Sequence, residues 1–170
     1  MPLALNKDKE FNIGNNIKDQ AINDEVDFYI KHVLKHDNLE LMFMKSFIYI
    51  ENLLLKINQN LFSITNEPGF FILYGNYKKI RGVNNKFFPQ IEFIKDIRDK
   101  IAHEIEYNID TDINFITEFG LEGLSVIQKQ MRITDYFSNI IFGILEVKIG
   151  MDLFDDFIVY KKDLPPKNFQ

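Results

Sequence analysis

The chain of 170 residues contains no cysteine and no tryptophan. The absence of cysteine excludes disulfides, thiolate metal sites and thiol nucleophiles, and it fits a reducing compartment. No stretch of about 20 uncharged apolar residues occurs, so the sequence predicts no transmembrane helix. The longest apolar run, residues 39–57, is interrupted by Glu40, Lys45, Glu51 and Lys56. The first residues also lack a basic region followed by an apolar segment, so we expect no signal peptide and a cytoplasmic protein.

An excess of basic charge is also missing. The chain has 20 Lys and Arg against 25 Asp and Glu, for a net charge of −5. This balance argues against a globally basic nucleic-acid binder, although a local basic patch remains open. Hydrophobic residues make up 46% of the chain and aromatic residues 14%, which is enough to form the core of one domain.

Apolar spacing predicts an all-α fold, a bundle of about four to six helices. Phe43, Phe47, Ile50, Leu54 and Ile57 alternate steps of four and three, which is typical of one helical face. Because other apolar residues surround this face, we expect residues 39–58 to form a central helix. Further helices are predicted over residues 23–36, 89–107 and 136–148, with short helical pieces and loops over 70–88.

Three further predictions concern boundaries. Thr134-Asp135 should cap the last helix and Gly150 should end it. The alternating, β-branched segments 114–119 and 125–133 favour a small β-hairpin. We expect a flexible N-terminal arm over residues 1–22, a single helical domain over 23–160 and a C-terminal tail over 161–170.

The sequence from Ile94 to Glu104 carries the clearest chemical signal. Its helix should direct Ile91, Ile94, Ile97, Ile101 and Ile105 inward. At about 100° per residue, Arg98 lies beside this apolar face, whereas Asp99 and His103 are neighbours on the outward side.

An arginine beside an apolar face needs a partner, and Glu51 on the preceding long helix is the candidate. Arg98 and His103 lie about 140° apart on a regular helix. A site that uses both therefore needs either a distortion near Ala102 or a second subunit. The alternative is a purely structural role, in which Arg98 pairs with Glu51 while Asp99 and His103 face solvent.

The segment Arg98-Asp-Lys-Ile-Ala-His103 resembles the signature of the HEPN superfamily, the higher eukaryotes and prokaryotes nucleotide-binding domains. That signature is an arginine, a polar residue and a histidine after four to six intervening residues. Asp99 takes the polar position, where asparagine is common. The resemblance is close over six residues. The predicted order of helices over residues 25–150 also resembles that of the family, but only roughly.

The resemblance implies an α-helical homodimer in which two motifs face each other. Many HEPN proteins are metal-independent ribonucleases of toxin–antitoxin, anti-phage and CRISPR-linked systems. For this chain it implies an RNA endonuclease that forms 2′,3′-cyclic phosphates, without a metal or cofactor. Arg98 and His103 would be catalytic, with Asp99 and Glu51 supporting, and an antitoxin or other protein could be a partner. The alternative is a non-catalytic regulatory or protein-interaction module, as in the mannitol-repressor-like group.

Two further features of the sequence, a basic aromatic segment and a pair of histidines, are weaker indications of function. Residues 68–91 contain four basic side chains, no acid before Glu92, and interleaved aromatic rings. Such a segment can bind phosphates and stack on unpaired bases, but it can also be a core-packing loop with solvated lysines. The RNA-binding candidates are Lys78, Lys79, Arg81 and Lys86. His32 and His36 have a spacing that can hold a metal, but a solvated helix surface is favoured and no metal site is expected.

Overall fold

The computed structural model describes residues 19–32, 38–62, 64, 66–80 and 83–153. These residues form six α-helices and one short 3-10 helix, and within these ranges no strand is present. The helices are α1 (19–32), α2 (Leu39–Phe62), α3 (Phe70–Lys78), α4 (Phe88–His103), α5 (Ile113–Phe119) and α6 (Val126–Leu153), with the 3-10 turn at Asn85–Phe87. The predicted all-α bundle is therefore confirmed.

Helix α2 lies at the centre of the bundle. The five stripe residues are each at most 1% exposed, which confirms the predicted inward face; they are Phe43, Phe47, Ile50, Leu54 and Ile57. Because Met42 and Leu53 are also buried, α2 is covered on more than one side. It packs against α3, α4 and α6. It continues past the predicted end at Asn58 to Phe62, since Leu61 and Phe62 also join the core.

A buried pair of asparagines joins α2 to α3. Asn58 and Asn76 are at most 2% exposed. Asn76 Nδ2 donates to Asn58 Oδ1 at 2.8 Å, and Asn58 Nδ2 donates to the carbonyl of Leu73 at 3.0 Å. Amides buried in this way need partners, so this network fixes how α3 sits on α2.

The predicted hairpin over residues 114–133 is wrong. Asp112 caps α5 by accepting hydrogen bonds from the backbone N–H of Asn114 and Phe115. Gly120, with φ of 62°, ends α5 in the left-handed conformation that glycine adopts at least cost. Phe115 and Phe119 lie one helical turn apart, and both rings contact Phe43 of the core. Burial at helical spacing outweighs the β-propensity of the branched residues between them.

The last helix is longer than predicted. The stripe Phe137, Ile140, Ile141, Ile144 and Leu145 is at most 1% exposed, as expected. However, α6 begins at Val126 rather than at the predicted Thr134-Asp135 cap. The Thr134 hydroxyl donates instead to the Gln130 carbonyl one turn earlier, inside the helix. Gly150 does not end α6, which continues to Leu153.

Helix α1 already includes residues 19–22, which the predicted arm contained. The reason is Ile22, which is 1% exposed and belongs to the core. Tyr29 of α1 donates a hydrogen bond to the Ser46 hydroxyl of α2 at 2.7 Å, so α1 is anchored to the central helix. The rest of the arm (1–18), the predicted end of this helix (33–36) and the tail (161–170) lie outside the described residues. No helix in the described part of the chain is long and apolar enough to cross a membrane.

Candidate functional site

Helix α4 carries the Arg98–His103 motif in its last two turns. Pro89 lies at its first positions and suits a helix start. The backbone leaves the helix at Glu104, whose φ of −103° and ψ of 107° are extended. The helix therefore ends at His103, before the predicted end near Tyr107.

The end of α4 at His103 determines which of the predicted isoleucines are buried. Ile91, Ile94 and Ile97 are at most 1% exposed, and Ile101 is half-buried against the core. Ile105 was predicted to face inward, but it is fully exposed, at 101%. Because the chain has already left the helix, the helical spacing no longer determines the direction of residue 105.

Arg98 lies at the edge of the core, as the helical wheel predicts. Its side chain is 34% exposed, and its guanidinium carbon lies 5.1 Å from the ring centroid of Phe47 on α2. Its Nη1 donates to Asp99 Oδ1 at 2.8 Å. The expected Arg98–Glu51 pair is not formed, since the ion-pair partner of Arg98 among the described side chains is Asp99.

Asp99 accepts hydrogen bonds from two cations. Lys95 Nζ donates to Asp99 Oδ2 at 2.6 Å, and Arg98 donates to the other oxygen. Burial of the carboxyl raises its pKa, but these two hydrogen bonds and charges outweigh the burial and hold the pKa of Asp99 below its ordinary value. Asp99 is therefore an ionised bridge between Lys95 and Arg98. The expected contact with His103 is replaced by this bridge.

Lys95 is the residue of this cluster that the motif did not identify. Its side chain is 17% exposed, and its Nζ lies 4.4 Å from the ring centroid of Phe71 on α3. The spacing of four residues between Lys95 and Asp99 was visible in the sequence and predicts such an ion pair. The contact with Phe71 depends on how α3 packs beside α4 and had no local signal.

His103 is exposed at the last position of α4. The helix continues through Ala102 without a break, so the distortion that would bring Arg98 and His103 together is not present. On a regular helix the two side chains diverge by about 140°. One copy of the chain therefore does not assemble a site from both residues, and the arrangement with a second subunit is the one left open.

The chain directly after α4 forms an acidic open cleft of about 360 Å³. Its walls are Lys100, Glu104, Glu106, Tyr107, Asn108, Thr111 and Asp112. Asp112 accepts hydrogen bonds at 3.0 Å from both Lys100 Nζ and the Tyr107 hydroxyl. Since Asp112 neutralises the lysine, the remaining charge of this cleft repels phosphate.

Glu51 is half-buried in a different cleft, of about 450 Å³, between α2 and the start of α3. Glu67 lies in the same cleft. Glu51 therefore lines this cleft and does not form the ion pair of Arg98, which is made with Asp99, and its supporting role rests on the family resemblance alone.

The basic segment is divided between the surface and the core. Lys78, Lys79 and Lys86 are exposed, and Arg81 lies outside the described residues. Lys78 Nζ lies 3.7 Å from Glu92 Oε1, so an acid of α4 partly offsets its charge.

Two tyrosines of the same segment face inward. Tyr74 and Tyr77 are at most 4% exposed, and both rings contact Phe88. The rings of these two tyrosines belong to the core, which agrees with the core-packing alternative for them. The exposed aromatic ring of α3 is Phe71, at 73% exposure.

Of the two histidines with metal-binding spacing, only His32 lies among the described residues. His32 is exposed and its ring packs 4.7 Å from that of Phe28, while His36 lies outside the described residues. Among the residues whose positions are described, no group of three or more His, Cys, Asp or Glu side chains could hold a metal ion.

The main candidate site is therefore the motif on α4, together with its contacts to α2 and α3. Comparison of the chain with models of protein families, with curated proteins and with solved structures found no match.

Proposed function

We propose that this chain is a cytoplasmic, metal-independent endoribonuclease of the HEPN type that acts as a homodimer. The observation that carries the proposal is the position of Arg98 and His103 at the exposed end of α4. Arg98 is held by the Phe47 ring and by Asp99, whereas His103 projects into solvent at the helix end. A fixed cation and an accessible imidazole, supplied to one groove by two copies of the chain, are a combination that suits attack on a phosphodiester.

The proposed reaction needs only the chemistry of these two side chains. Neutral His103 removes the proton from a ribose 2′-hydroxyl, and the 2′-oxygen attacks the adjacent phosphorus. Arg98 stabilises the negative charge that develops on the non-bridging oxygens. The bond from phosphorus to the 5′-oxygen breaks, and the histidine of the second copy, in its protonated form, protonates that oxygen. The products are a 2′,3′-cyclic phosphate and a 5′-hydroxyl.

The divergence of Arg98 and His103 on a regular helix supports the dimer in this proposal. Two copies that pair through the ends of their α4 helices would supply two arginines and two histidines to one groove. Ile105 supports this arrangement, because a fully exposed isoleucine two residues after His103 offers apolar area for a symmetric contact. RNA cleavage in the cytoplasm harms the host cell. The same proposal therefore includes a role as a toxin or anti-phage effector, restrained by an antitoxin or another protein.

A second function is favoured by the charges around the motif. Asp99 forms an ion pair with the guanidinium of Arg98, and Glu104 and Glu106 lie one and three residues after His103. These carboxylates repel RNA, which suits a non-catalytic regulatory or protein-interaction module. Such a module predicts that the protein binds a protein partner and leaves RNA intact.

The test compares wild-type protein with His103→Ala and Arg98→Ala on single-stranded RNA in the presence of EDTA. We expect cleavage by the wild type and a loss of at least about 100-fold in each variant, since general acid–base catalysis contributes roughly 10²–10⁴-fold. His32→Ala is the matched control, because His32 is also exposed on a helix but lies outside the motif. Equal cleavage by wild type and His103→Ala, or no cleavage by the wild type, would refute the ribonuclease.

A further inference from the structure

We infer that Lys95, Arg98 and the exposed ring of Phe71 form a binding subsite for one unpaired nucleotide of an RNA strand. This inference rests on the proposed function and names its substrate class, single-stranded RNA. It assigns binding roles to Lys95 and Phe71, which the Arg98–His103 motif does not include.

The two cations already hold one anion between them. Lys95 Nζ and Arg98 Nη1 bind opposite oxygens of Asp99, at 2.6 and 2.8 Å. A phosphodiester also presents two negatively charged oxygens on one centre, and hydrogen bonds from cations to such oxygens are strong. Asp99 therefore shows that this pair of side chains can bind an anion with two oxygens. An RNA phosphate would take the place of the carboxylate, and Asp99 would compete with it.

Both cations are positioned by aromatic rings. Arg98 lies over Phe47 at 5.1 Å and Lys95 over Phe71 at 4.4 Å. Phe47 is buried at 1% exposure, and Phe70 connects the two rings, with centroids 5.1 Å from Phe47 and 6.5 Å from Phe71. The packing of α2, α3 and α4 thus fixes the cations before any ligand binds, which lowers the entropic cost of binding.

Phe71 supplies the surface for a base. It is 73% exposed, more than any other described aromatic residue, in a chain that buries Tyr74 and Tyr77 a few residues later. Lys95 occupies one face of the ring, and the large exposed area leaves the remainder open. An unpaired base stacks on such a ring while its phosphate reaches a neighbouring cation, which is how single-stranded nucleic acids are commonly held. An apolar protein partner would use the ring but gain nothing from the two cations.

Binding is tested with a single-stranded oligonucleotide that carries 2′-O-methyl riboses and therefore cannot be cleaved through the 2′-oxygen. Fluorescence anisotropy gives the affinity, and a 2-aminopurine base in the oligonucleotide reports stacking by loss of its fluorescence. We expect Phe71→Ala to weaken binding about 5- to 100-fold, as one stacked base contributes in other proteins, and to abolish the fluorescence loss. Lys95→Gln should weaken binding and reduce its dependence on salt.

Two variants sharpen this test. Phe28→Ala is the matched control, because Phe28 is a half-exposed phenylalanine of α1 with no contact to the two cations, and it should bind like the wild type. Asp99→Asn removes the competing carboxylate charge and should tighten binding several-fold. Because Phe71 is exposed, Phe71→Ala should keep the helical content of the wild type, which circular dichroism checks.

The outcomes separate this inference from the proposed catalysis. If Phe71→Ala binds as tightly as wild type while His103→Ala loses cleavage, the subsite is refuted and the ribonuclease stands. If Phe71→Ala and Lys95→Gln lose binding but the wild type cleaves nothing, the subsite stands and the ribonuclease fails. Absence of binding by wild type refutes the subsite. So does a Phe71→Ala variant that loses self-association alone, because the ring then contacts protein.

Discussion

Replacement of Asn58 by alanine should destabilise the fold more than its single lost amide suggests. Asn58 is fully buried on α2 and its amide makes three hydrogen bonds. It donates to the carbonyls of Leu54 and Leu73 at 2.8 and 3.0 Å and accepts from Asn76 at 2.8 Å. Alanine removes all three and leaves the Asn76 amide buried without this acceptor.

The magnitude follows from these contacts. Each net hydrogen bond contributes about 1 kcal/mol, and a buried donor left unpaired costs about 1–3 kcal/mol. We therefore expect a loss of about 2–4 kcal/mol in the free energy of unfolding. For a chain of this size each kcal/mol lowers Tm by about 2–4 °C, so the expected decrease is roughly 5–15 °C.

The assay is urea unfolding followed by far-UV circular dichroism, since the chain has no tryptophan. Asn52→Ala is the matched control, because Asn52 is an exposed asparagine of the same helix. Its expected change lies within about 0.5 kcal/mol. An Asn58→Ala variant that unfolds at the same urea concentration as the wild type would refute the buried network and the placement of α3 on α2.

Two further predictions concern the end of α4. Burial raises the pKa of Asp112, but the hydrogen bonds from Lys100, from the backbone N–H of Phe115 and from Tyr107 together lower it more. The stability contributed by this carboxylate is therefore present above about pH 4 and lost as the pH falls through the lowered pKa. Asp112→Asn should cost about 1–2 kcal/mol at neutral pH and progressively less as the pH falls through the lowered pKa of Asp112, as measured by urea unfolding; a cost that does not decrease with pH would contradict the ion pair. Ile105→Asp should prevent dimerisation in sedimentation experiments while it leaves the stability of the monomer within about 0.5 kcal/mol; a dimer that persists would contradict the proposed interface.

Strong helical spacing was sufficient to predict the main packing. The stripes of α2 and α6 are buried throughout, because each repeats apolar residues over several turns. Shorter segments were less informative. Residues 113–119 contain β-branched residues and only two turns, and their helical state depends on the Asp112 cap and on burial of Phe115 and Phe119 against α2.

The sequence predicted the motif of the candidate site, but not the contacts of its residues with other helices. Spacing along one helix placed Arg98 at the core edge and could have paired Lys95 with Asp99. Glu51 was predicted as the partner of Arg98 because an arginine beside an apolar face needs an acid. In the structure, the adjacent Asp99 reaches the guanidinium instead. The contact between Lys95 and Phe71 joins two helices, and a contact of this kind depends on tertiary packing that the sequence pattern does not encode locally.

The central claim, that the 2′-oxygen of RNA is the nucleophile and His103 its base, is tested most directly by one substitution in the substrate. A single-stranded RNA is first cleaved by the wild-type protein in EDTA to locate a cleavage position. The same RNA is then made with one 2′-deoxyribose at that position, and the products are analysed by mass spectrometry. We predict 2′,3′-cyclic phosphate ends from the unmodified RNA, no cleavage at the deoxy position, and no cyclic ends with His103→Ala. Cleavage at the deoxy position, or cyclic ends formed equally by His103→Ala, would contradict the claim.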